Sequence, residues 1–465
     1  MDLISSKSFD IAIIGNGIIG SLTALEVSRQ FPDKNICLIG EKNRHQSASV
    51  AAGAMHAVFG EVEEGVPETL ESKIIKIGLD ARKRWIDWFG QKRDQVILSN
   101  DSIVYLQSNP NIFEKNNFNR IKNIAKTNNC LAKVDRSDIP SLINLYEKPT
   151  ELIKLKGEFS ICVPKLFEIL DEDLKNQENC KIINTNVISI DKSHKQVKIS
   201  TASNPYFSTK IIVCAGSNSK SILKFNNYVQ DMFQGVGTAI ALDNHSLPDS
   251  FPKNIVIRTA NRGGTNCGIH IIPRSDGTTY LGAGNYIIPP GKSNHRIDSI
   301  RYLINMLEKD LIGLQQTYPI TGTTLLGSRP RSFDGFPLIG ELESDNNIFL
   351  ATGTNRVGLT WAPTIVVEII RWLSKEKPTG IFDEWHPERS PISFGSLEFG
   401  LDYFVQSRIS NFLEHKLIQI KDVESKTDEL VDFGFNANQK IISEYNLPDT
   451  FCVHPDLWGP LSTRI

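Results

Sequence analysis

A glycine-rich turn near the start of the chain has the residue spacing that holds the pyrophosphate of a dinucleotide. The pattern Gly-x-Gly-x-x-Gly is formed by Gly15, Asn16, Gly17, Ile18, Ile19 and Gly20. Its first glycine permits a sharp turn, its second lets backbone N–H groups approach a phosphate, and its third lets a helix lie close to a strand. Glu41 follows about 20 residues later, where an acid accepts hydrogen bonds from a ribose 2′-hydroxyl. An acid instead of an arginine there favours FAD or NAD over NADP.

The neighbouring residues predict the strand–helix–strand unit that positions this turn. Phe9 to Ile14 is a short apolar, β-branched run that is typical of a buried parallel strand. Apolar and small residues from Ile18 to about Gln30 predict a helix whose N-terminus faces the phosphates. Ile36 to Ile39 predicts the second strand. A βαβ unit of this kind indicates an α/β fold with a parallel sheet.

Size and charge narrow the class of protein. The chain has 465 residues, of which 51 are basic and 53 acidic, so two domains fit and no nucleic-acid or membrane-surface footprint is indicated. We therefore expect a small-molecule substrate. Seven cysteines are scattered without a CxxC or zinc spacing, which indicates reduced thiols and no metal site. The lack of a leader-like N-terminus or a membrane-length apolar run favours a cytoplasmic protein without a membrane span.

Four further stretches are rich in small residues. Lys42 to Met55 passes from a polar turn into Ser, Ala and Gly, which let the backbone approach a flat cofactor. Lys210 to Ser217 reads as another buried strand that ends in small residues. Gly327 to Gly340 contains an Arg-Pro pair, and Thr352 to Pro363 contains a glycine-rich turn before a helical pattern.

Together with the glycine turn and Glu41, these stretches resemble the glycine oxidase and D-amino acid oxidase (DAO) family of FAD-dependent oxidoreductases, from about Phe9 to Ser374. The resemblance implies an α/β fold in which a Rossmann-like FAD-binding domain is interleaved with an antiparallel-sheet substrate-binding domain. It assigns residues 1–75, 155–230 and 327–376 to the first domain and residues 76–154 and 231–326 to the second. A C-terminal extension, 377–465, lies beyond the resemblance, and in it a helical pattern runs from Ser407 to about Ile420.

The resemblance also implies which residues contact FAD. Val50 stands where some relatives carry a histidine bonded to the flavin, so non-covalent binding is expected. Lys181 to Ile190, predicted as one strand, resembles the segment that meets the adenine. Besides the glycine turn, the implied FAD contacts are Glu41, Lys42, Ser47, Ser49, Ala51, Ala52, Gly53, Met55, Val187, Cys214, Ala215, Gly216, Gly353, Arg356, Val357, Gly358, Leu359 and Thr360.

Three residues are implied to act on the substrate or the reacting ring. Arg329 corresponds to the family's carboxylate clamp, which suits a planar guanidinium with two parallel donors, and Arg331 is the alternative clamp. His270 stands where family members commonly have tyrosine, and it is a candidate for substrate contact or proton transfer. Arg356 belongs to the turn and helix N-terminus whose N–H groups would stabilise negative charge on reduced flavin.

The implied reaction is FAD-dependent oxidation of a small carboxylate-bearing amine or amino acid. Hydride passes to flavin N5, the imine hydrolyses, and O2 or another acceptor reoxidises the flavin. A flavin-dependent 2-hydroxy acid dehydrogenase and a non-catalytic flavoprotein subunit are the alternatives. An NAD-dependent dehydrogenase is disfavoured, because it should lack the signature from Gly353 to Pro363. The identity of the amine and a possible homo-oligomer stay open.

Overall fold

The computed structural model describes residues 8–44, 47–60, 62–135, 149–192, 196–249, 251–263, 268–308, 319–414 and 417–462. The strands of this part of the chain are β1 Ser8–Ile14, β2 Ile36–Gly40, β3 Asp101–Leu106, β4 Leu131–Ala132, β5 Glu151–Lys156, β6 Cys180–Asn184, β7 Val187–Lys192, β8 Val197–Thr201, β9 Tyr206–Val213, β10 Met232–Asp243, β11 Val256–Thr259, β12 His270–Pro273, β13 Thr278–Ile288, β14 Gly322–Ser332, β15 Leu338–Leu342 and β16 Asp345–Thr352. The α-helices are α1 Ile18–Gln30, α2 Glu68–Phe89, α3 Arg93–Val96, α4 Ile112–Thr127, α5 Val163–Lys175, α6 Ser219–Ile222, α7 Ile297–Met306, α8 Gly358–Leu373, α9 Leu397–Glu414, α10 Val423–Glu444 and α11 Trp458–Ser462.

The first sheet carries the glycine turn and has the strand order β15-β16-β9-β1-β2-β6, with β7 and β8 attached beside β9. Strand β1 runs parallel to both β2 and β9, so that Ile13 lies between Leu38 and Ile212. All three side chains are buried, since helices cover a parallel sheet on its faces. The carboxyl ends of β1, β2, β9 and β16 therefore meet at one edge, where α/β sheets bind their ligands.

The second sheet has the order β14-β10-β13-β12-β11-β3-β5-β4 and is antiparallel except where β11 runs parallel to β3. Its long strand β10 pairs with β13 on one side and with β14 on the other. That pairing sets Gly235 opposite Arg329, and the neighbouring pair of β12 and β13 sets His270 opposite Gly282. The fold is thus mixed α/β, with one mainly parallel and one mainly antiparallel sheet, as predicted. The domain limits stay a prediction.

The C-terminal extension shares a hydrophobic core with the second sheet. Phe404, Ile441 and Trp458 of the extension pack in one cluster with Phe233 of β10 and Ile287 of β13. An ion pair between Arg389 and Asp334 ties the segment before α9 to the turn after β14. The extension is therefore packed onto the second sheet rather than tethered as a separate unit.

Two predicted elements differ from the observed ones. The strand expected over Lys181 to Ile190 is broken after Asn184, where the Thr185 N–H donates to the carbonyl of Ile183 at 3.1 Å and the chain starts β7 afresh. The helix expected from Ser407 is part of α9, which begins ten residues earlier, at Leu397. Its early turns hold Phe404 against Trp458, a contact with a distant segment that no local pattern reveals.

Among the described residues, no helix combines the length and apolar character that a bilayer crossing requires. In the same residues, no group of three or more His, Cys, Asp or Glu side chains is arranged to hold a metal ion. Six cysteines are buried as free thiols, and Cys267 lies outside the described ranges.

Candidate cofactor and substrate site

A cavity of about 720 Å3 lies between the two sheets. One end is formed at the carboxyl edge of the first sheet, where Ile14, Gly40 and Cys214 line it. The other end is formed by β12, β13 and β14 of the second sheet, including His270 and Arg329. A volume of this size, within the roughly 300–1,000 Å3 common for ligand sites, accommodates a large cofactor or a small ligand.

The glycine turn is determined by backbone contacts. Gly15 has a φ of +99°, which L side chains rarely adopt, and its N–H donates to the carbonyl of Ile39 at 2.8 Å. A Cβ on Gly20 would overlap the carbonyl oxygen of Gly15. Because α1 starts so close to β1, its first N–H groups face the cavity, and the N–H of Ile18 donates to Ser49 Oγ at 3.0 Å. This cradle fits a pyrophosphate.

Side chains around the end of β2 hold the turn in place. Asn16 Nδ2 donates to the carbonyl of Glu41 at 2.8 Å, and Arg44 Nε donates to the carbonyl of Asn16 at 2.8 Å. The Arg44 guanidinium also pairs with Asp171 and lies over the ring of Phe167, 4.3 Å from its centre. The carboxylate of Glu41 is exposed at the cavity, in a position that suits a ribose hydroxyl.

The loop of small residues joins the first sheet to the second. Ser47 forms a β-bridge with Ser328 of β14, next to the Arg-Pro pair. Arg274 of the second sheet donates from Nη2 to the carbonyl of Ala52 at 2.7 Å. Ala54, with a φ of 57°, is left-handed, and its carbonyl accepts from the N–H of Ile161 at 2.9 Å. The loop thereby brings the opening motif against β14.

The helix α8 supplies the opposite wall. The N–H of Asn355 donates to the carbonyl of Pro330 at 2.8 Å, so the turn before α8 is attached to β14. Thr352 Oγ1 donates to the carbonyl of Gly216 at 2.7 Å, which attaches β16 to the end of β9. Gly358 begins the helix and lines the cavity, so the positive end of the helix dipole faces the cavity.

Arg329 projects from β14 into the cavity. Its Nε donates to the carbonyl of Gly235 at 3.1 Å, and its Nη2 donates to Asn285 Oδ1 at 2.6 Å. Both acceptors are uncharged, and they orient the guanidinium toward the cavity. A cation placed in this way can bind a carboxylate.

Arg356 lines the same cavity, and its guanidinium is held by Asn261 and Glu63. Its Nη1 donates to Asn261 Oδ1 at 3.0 Å, and its Nη2 lies 3.2 Å from Glu63 Oε2. Glu63 Oε1 in turn accepts from the hydroxyl of Tyr403, in α9 of the extension, at 2.9 Å. The extension therefore contacts the residues that support the cavity wall.

His270 is half-buried on β12 and lines the cavity. Burial, helped by the positive charges of Arg258, Arg356 and Arg329, lowers the pKa of its imidazole to about 3. The ring is therefore neutral at physiological pH. Arg258 is itself paired with the buried carboxylate of Glu158 at 3.1 Å.

Most of the predicted site residues come together around this one cavity. Those that line it are Gly15, Asn16, Gly17, Ile18, Ile19, Glu41, Ser47, Ser49, Ala51, Ala52, Gly53, Met55, Val187, Cys214, Ala215, Gly216, His270, Arg329, Arg356, Gly358, Leu359 and Thr360. Gly20, Lys42, Gly353 and Val357 lie beside it without lining it. Lys42 is exposed on the turn after β2, whereas Gly20 packs α1 onto the glycine turn.

Some lining residues were not anticipated from the sequence. Arg44 and Gln234 line the cavity, as do Tyr280, Pro290 and Gly291. Tyr280 lies inside the strand-like run after His270, and the run itself was the available signal. The other four residues lie in turns and strands, and their residue types are common in such elements. Only their position in the tertiary structure identifies them as cavity residues.

Comparison with known proteins identifies relatives of this architecture. The sequence matches the family described as DAO, FAD dependent oxidoreductase, over residues 10–369. A search of curated proteins finds no significant match.

Solved structures share the fold at low sequence identity. Glycine oxidase from Geobacillus kaustophilus is 14% identical, with a TM-score of 0.70, and the match covers 83% of this chain and 99% of that chain. L-Proline dehydrogenase from P. horikoshii is 14% identical, with a TM-score of 0.64, covering 82% and 98%. L-α-Glycerophosphate oxidase from Mycoplasma pneumoniae, solved with FAD bound, is 17% identical, with a TM-score of 0.60, covering 83% and 99%. At such identities the likeness shows the fold alone.

Proposed function

The chain belongs to the DAO family of FAD-dependent oxidoreductases, and we propose that it oxidises a small amine or amino acid that carries a carboxylate. The observation that carries this proposal is the position of Arg329. Its guanidinium is oriented into the cavity by two uncharged acceptors, Gly235 and Asn285. A fixed cation at the substrate end of the cavity favours an anionic group on the substrate.

The described residues fit FAD as the cofactor. The glycine turn and the N-terminus of α1 would hold the pyrophosphate, Glu41 the ribose, and the loop of small residues the flat ring system. The N-terminus of α8 would stabilise negative charge on the ring. When bound, FAD supplies an acceptor for a hydride from the substrate carbon. Val50 offers no nucleophile for a covalent link, which supports non-covalent binding.

We assign the substrate-facing roles to Arg329, Arg356 and His270. Arg329 binds the carboxylate with parallel N–H donors, and Arg356 adds positive charge from the wall before α8. His270 acts as a neutral hydrogen-bond partner that orients the amine. A protonated imidazole beside these arginines would be strongly disfavoured, which argues against His270 as a store for the substrate proton.

The test is an anaerobic screen of amines, amino acids and 2-hydroxy acids, in which the loss of oxidised flavin absorbance is measured. We expect a carboxylate-bearing amine to bleach the flavin. Arg329→Met should lower the rate constant kcat/KM by about 100-fold, because lost charge-assisted hydrogen bonds cost about 3 kcal/mol. Arg301→Met, at an exposed arginine of α7, is the matched control and should leave turnover unchanged.

The same screen separates the alternatives. Bleaching by 2-hydroxy acids but not by amines would indicate a hydroxy acid dehydrogenase, and no bleaching by any compound would indicate a non-catalytic flavoprotein. Hydrogen peroxide formed in air would identify O2 as the acceptor. If Arg329→Met left turnover of a carboxylated substrate intact, the clamp assignment would be wrong.

A further inference from the structure

A second cavity, of about 100 Å3, lies between the core and the C-terminal extension. It shares Thr354, Asn355 and Arg356 with the main cavity, so these three residues separate the two spaces. The extension contributes further walls, including His454 and Asp456. A cavity needs only roughly 10–15 Å3 to admit one water, so this space admits several waters or one small organic ion.

The most unusual wall residue of this second cavity is Arg331. Its side chain comes from β14, two residues after Arg329, and it is only 7% exposed. Within the part of the chain that the structure describes, its Nε and Nη2 have no hydrogen-bond partner. The acid Asp456 is 3.8 Å from Nη2, beyond hydrogen-bond distance. Buried N–H groups of a cation are costly unless an acceptor satisfies them, so the arrangement indicates a missing acceptor.

The other acids of the second cavity are engaged elsewhere. Asp334 accepts from both Nη1 and Nη2 of Arg389, at 2.5 and 3.1 Å, and from the N–H of Ile392 at 3.0 Å. Glu63 accepts from Arg356 and from Tyr403. Neither carboxylate is therefore positioned to satisfy the orphaned donors.

The histidine of the second cavity is neutral and adds a donor. His454 Nδ1 accepts from the backbone N–H of Asp456 at 3.2 Å, so the neutral ring carries its proton on Nε2. Burial, together with the charges of Arg331 and Arg356, holds the pKa of His454 well below its usual range. At neutral pH this histidine therefore adds no charge to the second cavity.

We propose that the second cavity binds a small carboxylate, whose oxygens accept from the Nε and Nη2 groups of Arg331. The size of the space limits the ligand to an ion of the formate or acetate class. This site differs from the substrate site proposed above, because Arg331 lines only the second cavity and Arg329 only the first. It also gives the extension a binding role, since Phe394, His454 and Asp456 of the extension line the second cavity.

The experiment is calorimetric titration of the FAD-loaded protein with acetate, repeated with formate. Wild type should bind acetate in the second cavity and, if the proposed function holds, also beside Arg329 in the main cavity. Arg331→Met should remove only the binding in the second cavity, and Arg329→Met only the binding in the main cavity. The double variant should bind no acetate at either site. Arg301→Met is the matched control and should bind like wild type. Binding that survives Arg331→Met unchanged, or that Arg329→Met removes completely, would overturn the proposal.

A second variant tests the carboxylate site independently of any folding defect in Arg331→Met. Asp456→Asn removes the negative charge nearest to Arg331 while keeping the side-chain shape. We expect it to tighten acetate binding in the second cavity several-fold, and unchanged or weaker binding would refute the site. If wild type shows a single binding event that Arg331→Met abolishes, the carboxylate site stands and the substrate proposal at Arg329 fails.

Discussion

The two ends of the main cavity are built on different principles. At the nucleotide end, backbone contacts determine the geometry, as where Gly15 donates to Ile39 and Gly20 lies against the Gly15 carbonyl. At the substrate end, side chains determine it, as where Asn285 orients Arg329 and Glu63 supports Arg356. The difference implies that changes at the first end should abolish cofactor binding, whereas changes at the second should alter substrate affinity in graded steps.

The largest effect is expected from Gly20→Ala. The new Cβ would overlap the Gly15 carbonyl oxygen, so α1 must move away from the turn, and overpacking of this kind costs about 3 kcal/mol or more. Purified protein should lack flavin absorbance and unfold at a lower temperature. Gly459→Ala is the matched control, because its Cβ meets nothing within 4 Å. A yellow Gly20→Ala protein of normal stability would show that the nucleotide end tolerates more than backbone contacts suggest.

A smaller effect on stability is expected from lowering the pH, because His56 is buried as a neutral ring. This buried residue stacks on Phe159, its two ring nitrogens have no partner among the described residues, and burial lowers its pKa from 6.5 to about 3. Because the unfolded chain binds the proton more readily, stability should fall as pH drops from 6.5 toward 3. His56→Phe keeps a stacking ring and removes the titration.

Chemical denaturation as a function of pH measures this contribution. Between about pH 6.5 and 4.5, where an ordinary histidine with a pKa of about 6.5 becomes protonated, the free energy of unfolding of His56→Phe should fall less than that of wild type. At about pH 8, where an ordinary histidine is neutral, the substitution should change the stability little. An identical acid sensitivity in both proteins would contradict the assignment of His56 as a buried neutral ring.

At the substrate end, the prediction for His270 concerns the pH dependence of activity. Since its pKa is lowered to about 3, kcat/KM should show no imidazole step between about pH 5 and 8. His270→Gln keeps a neutral hydrogen-bonding group and should retain activity within roughly tenfold of wild type. A step near the ordinary histidine pKa that disappears in His270→Gln would instead identify a proton-transfer role.

The smallest effect is expected from Tyr403→Phe. The change removes one hydrogen bond to Glu63, and such bonds to charged groups contribute about 1.5 kcal/mol or more. Because Glu63 supports Arg356 without lining the main cavity itself, only part of this energy affects substrate binding, and KM should rise roughly 3- to 10-fold while kcat is retained. Tyr228→Phe, at an exposed tyrosine that lines neither cavity, is the control and should change neither constant. Equal effects in the two variants would show that the extension does not position Arg356.

The nucleotide end was predictable to within a residue. The strand over Phe9–Ile14, the helix over Ile18–Gln30 and the strand over Ile36–Ile39 all match the observed elements β1, α1 and β2. These elements are encoded by runs of adjacent residues with a clear period and by glycines that few other structures require. Family membership followed from these motifs together with the small-residue loop and the Arg-Pro and Gly353 to Pro363 stretches, and it is confirmed over residues 10–369.

The extension shows where such patterns give no information. Helix α10 was not predicted, because Phe433 and Phe435 are exposed on it while Ala437 and Ile441 are buried, so its apolar residues do not mark one face. The location of Arg331 was equally hidden. Its residue type and spacing suggested an alternative carboxylate clamp in the main cavity, but its side chain lines the second cavity instead.

The sequence by itself determined the βαβ unit, the family and the cofactor, because a tight glycine turn depends on contacts between backbone atoms that few other residues permit. Tertiary structure decided which charges face the substrate. Gly235 and Arg329 are 94 residues apart, and Glu63 and Tyr403 are 340 apart, so their contacts depend on strand register and on the docking of the extension. Long-range packing of this kind sets the direction of each guanidinium, which residue type and spacing do not encode.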